Sequence, residues 1–146
     1  MQTFKPDCSI HVYIHAWGKP QKFSFGIWMG NRKGAELVTF SRVMAMKSRG
    51  ITSLCAAKLA LEQALRLKQE KIEIRVNTTF QFELLGKLHS VPREEELKLL
   101  YEDTQQLLTG FRFQRVLQVP QEQIPKAYAM ALHLLRGAEK ESQLRK

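Results

Sequence analysis

The side chains able to attack, ligate or shuttle protons are few and scattered: His11, His15, His89 and His133, with Cys8 and Cys55. A zinc site needs such ligands in closely spaced pairs, and neither the histidines nor the cysteines show that spacing, so no structural zinc is predicted. Two isolated cysteines also make no disulfide framework, which fits a reducing compartment, and Cys55 within an apolar stretch reads as packing. Cations are far more plentiful. The formal net charge is +9, and residues 1–76 hold 13 Lys and Arg against 5 Asp and Glu, while residues 77–146 hold 10 against 9. A basic field of this kind favours polyanions, nucleic acid first, without specifying base sequence or chemistry. The candidate contacts are Lys19 and Lys22, Arg32 and Lys33, and Arg42, Lys47 and Arg49. Such groups grip phosphates rather than read bases. Trp17 could stack on a base or fill the core, whereas Trp28 reads as packing.

These residues must be positioned by regular elements. Ser9 to Ala16 alternates and is rich in β-branched and aromatic residues, so it predicts a strand ending at the turn Gly18-Lys19-Pro20. A second strand follows over Lys22 to Met29, and Gly30-Asn31-Arg32-Lys33-Gly34 is turn chemistry leading to a return strand from Ala35 to Met46. After Gly50 the period changes to helical, with Leu54, Ala57, Leu61, Ala64 and Leu65 on one face, Thr52 or Ser53 as the cap, and an end near Glu70.

Lys71 to Val76 alternates as a short strand, and a strand after a helix implies a right-handed crossover to a parallel neighbour. Thr78 to Leu88 reads as helical, Ser90-Val91-Pro92 interrupts, and Arg93 to Thr109 continues as an amphipathic helix closed by Gly110. Phe111 to Val119 is a last strand stopped by Pro120, Gln121 to Gly137 a C-terminal helix, and 138–146 a polar tail. The periodicity therefore predicts one α/β or α+β domain over 1–137, with helices packed on a five-stranded mixed sheet. No apolar run approaches the roughly 18 residues that span a bilayer, and Met1 to Ile10 lacks a signal-peptide core. A soluble, cytoplasmic protein without a membrane partner is expected.

Several stretches, in order, resemble the type I ribonuclease H family. V-Y-I-H-A-W-G-K-P at Val12 to Pro20 is similar to its first strand, apolar-Tyr-Ile-Asp-Gly-Ser before a glycine-containing turn. T-S-L-C-A-A-K-L-A-L-E-Q-A-L at Thr52 to Leu65 looks like the Ala-Glu-x-x-Ala helix, and I-E-I-R-V-N-T at Ile72 to Thr78 resembles the strand ending in Asp-Ser. Leu97 to Phe111 resembles the helix before the fifth strand, and V-P-Q-E-Q-I-P-K-A-Y-A-M-A at Val119 to Ala131 follows Val-Pro-Arg-Glu-x-Asn-x-x-Ala-Asp-x-Leu-Ala. The resemblance covers nearly the whole chain and implies a ribonuclease H-like fold, with three antiparallel strands followed by two crossover strands.

The family's four acids hold two magnesium ions for in-line phosphodiester hydrolysis, a role that needs negative oxygen ligands. In the corresponding positions this chain has His15, Ser53, Asn77 and Tyr128, and the accessory Arg and Asn of the closing motif are replaced by Gln121 and Ile124. Neutral oxygens cannot offset two dications, and histidine is a poor magnesium ligand. The nearest other acids, Asp7, Glu62, Glu73 and Glu83, are expected a turn away or on the opposite face of a strand. Ile124 and Tyr128, four apart on a helix, read as filling a former pocket.

His15, Ser53 and Asn77 have the composition of a Ser–His hydrolase site with an amide orienter, yet nothing marks an oxyanion hole or a nucleophile elbow. A hydrogen-bonded neutral cluster is the reading these residues support. The expectation is thus a non-catalytic ribonuclease H-like domain without cofactor, binding RNA, RNA–DNA hybrid or DNA through its basic surface. Its rivals are a protein-interaction module, with the exposed faces of Phe80 and Phe82 as a docking surface and a homodimer also open, and a divergent nuclease with residual magnesium-dependent hybrid cleavage.

Overall fold

The computed structural model describes residues 5–44, 47–86 and 93–132. Strands β1 (Cys8–Trp17), β2 (Lys22–Asn31) and β3 (Glu36–Met44) come first, then helix α1 (Arg49–Arg66) and strand β4 (Lys71–Val76). Helices α2 (Thr79–Leu85) and α3 (Glu95–Leu108), strand β5 (Phe113–Gln118) and a 3-10 turn at Gln121–Gln123 follow. The last helix, α4, occupies residues 125–132 of the described chain. The expected Ser90-Val91-Pro92 break, the end of the last helix and the 138–146 tail lie outside the described residues, as do His89 and His133.

One five-stranded sheet runs in the order β3-β2-β1-β4-β5. β1, β2 and β3 pair antiparallel, and β4 lies parallel to both β1 and β5. The β2–β3 turn is held by Asn31, whose Oδ1 accepts from the backbone N–H of Lys33 at 3.0 Å and of Ala35 at 2.9 Å, with Gly34 at φ +84°. Ile10, Val12, Ile72, Ile74 and Val76 point to one face of the sheet and are buried with Leu54, Ala57, Leu61 and Ala64 of α1. The opposite face is covered over β1 and β2 by α4.

That second packing needs a bare backbone. A Cβ built on Gly26 of β2 would stand 2.1 Å from the Ala127 carbonyl oxygen and 2.9 Å from the Ala131 nitrogen. Next to it, Ser24 Oγ donates to the Ala131 carbonyl at 3.1 Å, and Ile124, Ala127 and Ala131 are fully buried.

Two boundaries correct the sequence-based expectation. α1 is capped one turn early by Ser48, whose hydroxyl accepts from Ile51 N–H at 3.2 Å, not by Thr52 or Ser53. Starting at Arg49 adds buried Ile51 to the core, and it leaves Thr52 and Ser53 inside the helix, both buried. The C-terminal helix starts at residue 125 rather than at Gln121. Pro125 disfavours helical backbone at Ile124 and needs no N–H partner as the first helical residue, so a 3-10 turn precedes it.

Candidate nucleic-acid interface

β1 and β4 run parallel, so their C-terminal ends open on the same side of the sheet. There a cavity of about 280 Å³ is lined by Tyr13, His15, Arg49, Asn77, Thr78 and Gln81, among others. His15 arrives on the face of β1 away from α1, stacked on Tyr13 with ring centroids 6.3 Å apart. Asn77 is the first residue after β4, and the next, Thr78, caps α2 by accepting from Gln81 N–H at 3.2 Å. The Thr78 hydroxyl also donates to Gln81 Oε1 at 3.0 Å, so strand end and helix start form one hydrogen-bonded corner. Arg49, first residue of α1, completes the wall and lies over the Phe23 ring at 5.8 Å.

The four positions singled out by resemblance are not equivalent. His15 and Asn77 share the cavity. Ser53 is buried one helical turn beyond Arg49, with no hydrogen-bond partner for its Oγ and no place on the cavity wall. Tyr128 reaches the cavity only indirectly, its ring edge-on to Tyr13 at 4.9 Å. Tyr13, Thr78 and Gln81 were not foreseen as lining. The Thr-x-x-Gln spacing of a capping box was the available signal for the last two.

Electrostatically the cavity is neutral apart from one cation. Burial lowers the His15 pKa, keeping the imidazole uncharged, and burial followed by the neighbouring Tyr128 raises that of Tyr13. Arg49 is the one ionised group on the wall, and the buried Asn77 Oδ1 accepts no hydrogen bond. A pair of magnesium ions does not fit this donor set, which has no carboxylate. Among the described residues no three His, Cys, Asp or Glu side chains gather anywhere.

Glu73 was expected to be out of reach, and the reason proves different. It lies on the same face of the sheet as Asn77, two alternate positions down β4, but its buried carboxylate is engaged by Arg75 Nε at 2.8 Å and Arg115 Nε at 2.9 Å.

No protein-family model and no curated protein matches the sequence. Solved structures do. A ribonuclease H1 from the halophilic archaeon Halobacterium salinarum is 19% identical with a TM-score of 0.72, over 88% of this chain and 98% of that one. The N-terminal ribonuclease H domain of a Mycobacterium tuberculosis protein is 15% identical with a TM-score of 0.80, over 94% and 99%. The chain has a ribonuclease H-like fold. A third structure of this fold, a ribonuclease H1 isolated from compost and solved in complex with an RNA/DNA hybrid, is 18% identical with a TM-score of 0.73, over 86% and 94%.

On this ribonuclease H-like fold the eight candidate contacts separate into three groups and Arg49. Trp17, Lys19 and Lys22 sit at the β1–β2 turn, near the His15 end of β1, with Lys22 Nζ 5.0 Å from the centre of the half-buried Trp17 ring. Arg42 and Lys47 flank Cys55 on the α1 side, where Lys47 pairs with Glu96 at 2.8 Å. Arg32 and Lys33 stand at the other end of β1, where Arg32 pairs with Asp7 at 3.0 Å. Only Arg49 of the eight lines the His15 cavity. Trp28 is buried beneath Lys126, and Cys55 is half-buried rather than buried.

His11, beside Trp28 at 4.8 Å, supplies a pH test of the α4 face. Burial, then Arg75, lowers its pKa to about 4, with Glu73 opposing and Lys126 adding the smallest downward push. Between about pH 6.5 and 4 the unfolded chain takes up a proton that the folded chain refuses. Stability therefore falls as the pH drops through that window, by about 2 kcal/mol after allowance for partial exposure. The fall in urea midpoint from pH 7 to pH 4 should be smaller in His11→Phe than in the wild type, the remainder belonging to His15 and to carboxylates such as Glu73. An undiminished difference would remove His11 from the account.

Proposed function

We propose that this ribonuclease H-like domain binds nucleic acid, RNA–DNA hybrid or structured RNA, without cleaving it. The observation that carries the reading is the cavity at the ends of β1 and β4, lined by Arg49 and neutral His15, Asn77, Thr78 and Gln81 with no carboxylate. Such a lining repels metal dications and attracts a phosphate directly, so one guanidinium takes the electrostatic part that bound cations take in a two-metal site. The side-chain amide of Asn77 can donate to a phosphate oxygen. The hybrid-bound structure of the compost ribonuclease H1 supports the choice of ligand class. We place the domain in the cytoplasm, in keeping with free Cys8 and Cys55 and with the absence, among the described residues, of any helix long and apolar enough to cross a membrane.

The test is hybrid binding and cleavage by protein free of host ribonuclease, with magnesium and with chelator. The expected result is no cleavage, equal affinity in both conditions, and an affinity that falls steeply with salt. Arg49→Ala should weaken hybrid binding several-fold and lower the salt slope by about one. Magnesium-dependent cleavage abolished by Asn77→Ala would overturn the non-catalytic reading. Absence of hybrid and RNA binding near 0.1 M salt would favour instead a protein-interaction domain, for which exposed Phe80 and Phe82 on α2 are the available surface.

A further inference from the structure

Tyr13, His15 and Trp17 alternate along β1 and share the face turned away from α1, and of the three only His15 belongs to a residue type that ordinarily titrates near neutral pH. Its ring is half-buried, and little charge surrounds it. On its own strand it is stacked on Tyr13, whose raised pKa keeps the phenol neutral. Across β2 it pairs with Ser24, and Tyr128 of α4 meets the Tyr13 ring behind it. The β4–α2 corner contributes Asn77, Thr78 and Gln81, none of them ionisable. Two cations are close by, Arg49 of α1 on the cavity wall and Lys22 of β2 over the Trp17 ring at the turn. Among the described residues no carboxylate lines the cavity.

An imidazole in such a place is neutral for want of a counter-charge. Burial disfavours the charged form, so the His15 pKa lies below its ordinary value. The unpartnered acceptor on the wall, the buried Asn77 Oδ1, belongs to a neutral amide and brings no charge to hold a proton there. A phosphodiester reverses that balance. It carries one negative charge into a cavity of about 280 Å³ whose wall holds both Arg49 and His15, so an anion bound to the guanidinium lies beside the ring. An opposite charge at short range favours the protonated imidazole, and a wall partly closed to water strengthens the attraction. The protonated ring also has two N–H donors where the neutral ring has one, and the two anionic oxygens of a phosphodiester can accept from guanidinium and imidazolium together.

We propose that His15 is the second phosphate ligand of this cavity, binding as the imidazolium, so that the domain takes up a proton when it takes up nucleic acid. This role rests on the nucleic-acid reading of the cavity and adds to it a named residue and a direction with pH. By linkage, affinity rises as the pH falls, because the bound state holds more protons than the free one. The rise ends once the pH is below the His15 pKa of the free protein, where both states are protonated. Carboxylates stay largely ionised down to about pH 5.5, and His11, with a pKa of about 4, stays neutral there, so neither produces the effect. His89 and His133 titrate by type in the same window, and comparison with a His15 variant removes their share.

The experiment is calorimetric titration of the full chain with a short RNA–DNA hybrid at about pH 6, in two buffers of different ionisation enthalpy, which counts the protons taken up on binding. Hybrid affinity is measured in parallel from about pH 8 to pH 5.5 at fixed salt, for the wild type, His15→Gln and Arg49→Ala. The wild type is expected to take up roughly half a proton or more and to bind about tenfold more tightly at the lower pH. His15→Gln should lose most of the uptake and most of the gain on acidification. Arg49→Ala should bind more weakly throughout and still gain on acidification, since it removes a fixed charge. The wild-type proton count needs no variant, and the pH titration of the His15 ring protons by NMR, free and hybrid-bound, assigns the proton even where His15→Gln does not fold. Hybrid binding with no proton uptake, uptake unchanged in His15→Gln, or an NMR titration of His15 that the hybrid does not move would each overturn the proposal and leave the nucleic-acid reading in place. No hybrid binding at any pH would overturn both.

Discussion

Gly26→Ala should destabilise the protein by about 3–4 kcal/mol and lower its melting temperature by roughly 10 °C, for the sake of one methyl group. The added carbon would stand 2.1 Å from a backbone oxygen and 2.9 Å from a backbone nitrogen of α4. Neither atom can rotate aside as a side chain does, so the helix must lift from the sheet. Lifting it uncovers Ala127, Ala131 and Ile124 and breaks the bond from Ser24 Oγ to the Ala131 carbonyl. The Tyr13–Tyr128 contact goes with it, so His15 loses one support of its stacked partner. Gly34→Ala is the matched control: nothing lies within 4 Å of the added carbon, and only the left-handed backbone at φ +84° is strained, a cost of about 1 kcal/mol. Equal melting temperatures for the two variants would show that α4 does not pack on Gly26 as described.

Glu73→Gln should cost about 3 kcal/mol, toward the low end for loss of one partner from a buried ion pair. The carboxylate is 2% exposed, but the Arg75 and Arg115 side chains are 33% and 41% exposed and can turn partly to water once it is gone. Burial alone would raise the Glu73 pKa, and the hydrogen bonds from Arg115 and Arg75 outweigh it, so the carboxyl titrates below its ordinary value. Its stabilising contribution is therefore complete above the unfolded-state pKa and is lost as the pH falls through the folded one. Chemical denaturation at pH 7 and at pH 3 should find the two proteins far apart at the first and closer at the second. A constant gap across that range would mean that the charge of Glu73 does not matter to the fold.

The sheet was largely legible because its strands alternate. In K-I-E-I-R-V the isoleucines and valine mark one face, and Glu73, Arg75 and the following Asn77 share the other. What alternation could not supply was the partner of Glu73, since Arg115 lies 42 residues further on and meets it only through the β4–β5 register. The same gap hid part of the basic charge. Counting charge by halves of the chain assigned the basic field to residues 1–76, whereas the β4–β5 register brings Arg115 to Glu73, which also holds Arg75. At the His15 cavity, the strand ends His15 and Asn77 were legible from the ordered resemblance. Side-chain direction on α1 was not, because it depends on a helix start that both Ser48 and Ser53 could have capped.

The parallel pairing of β1 with β4 carries a cost of another kind. Cys8 meets Ile72 across 64 residues of chain, while Trp17 meets Lys22 across a turn. Closing the longer loop costs about 2 kcal/mol more in chain entropy than closing the shorter. The antiparallel β1–β2–β3 meander can form from local contacts, but the middle of the sheet can close only after the intervening crossover through α1 has been drawn in. The strand that carries His15 thus pairs locally on one side and across the whole crossover on the other, and the His15 cavity has its full wall only when those distant parts of the chain have met.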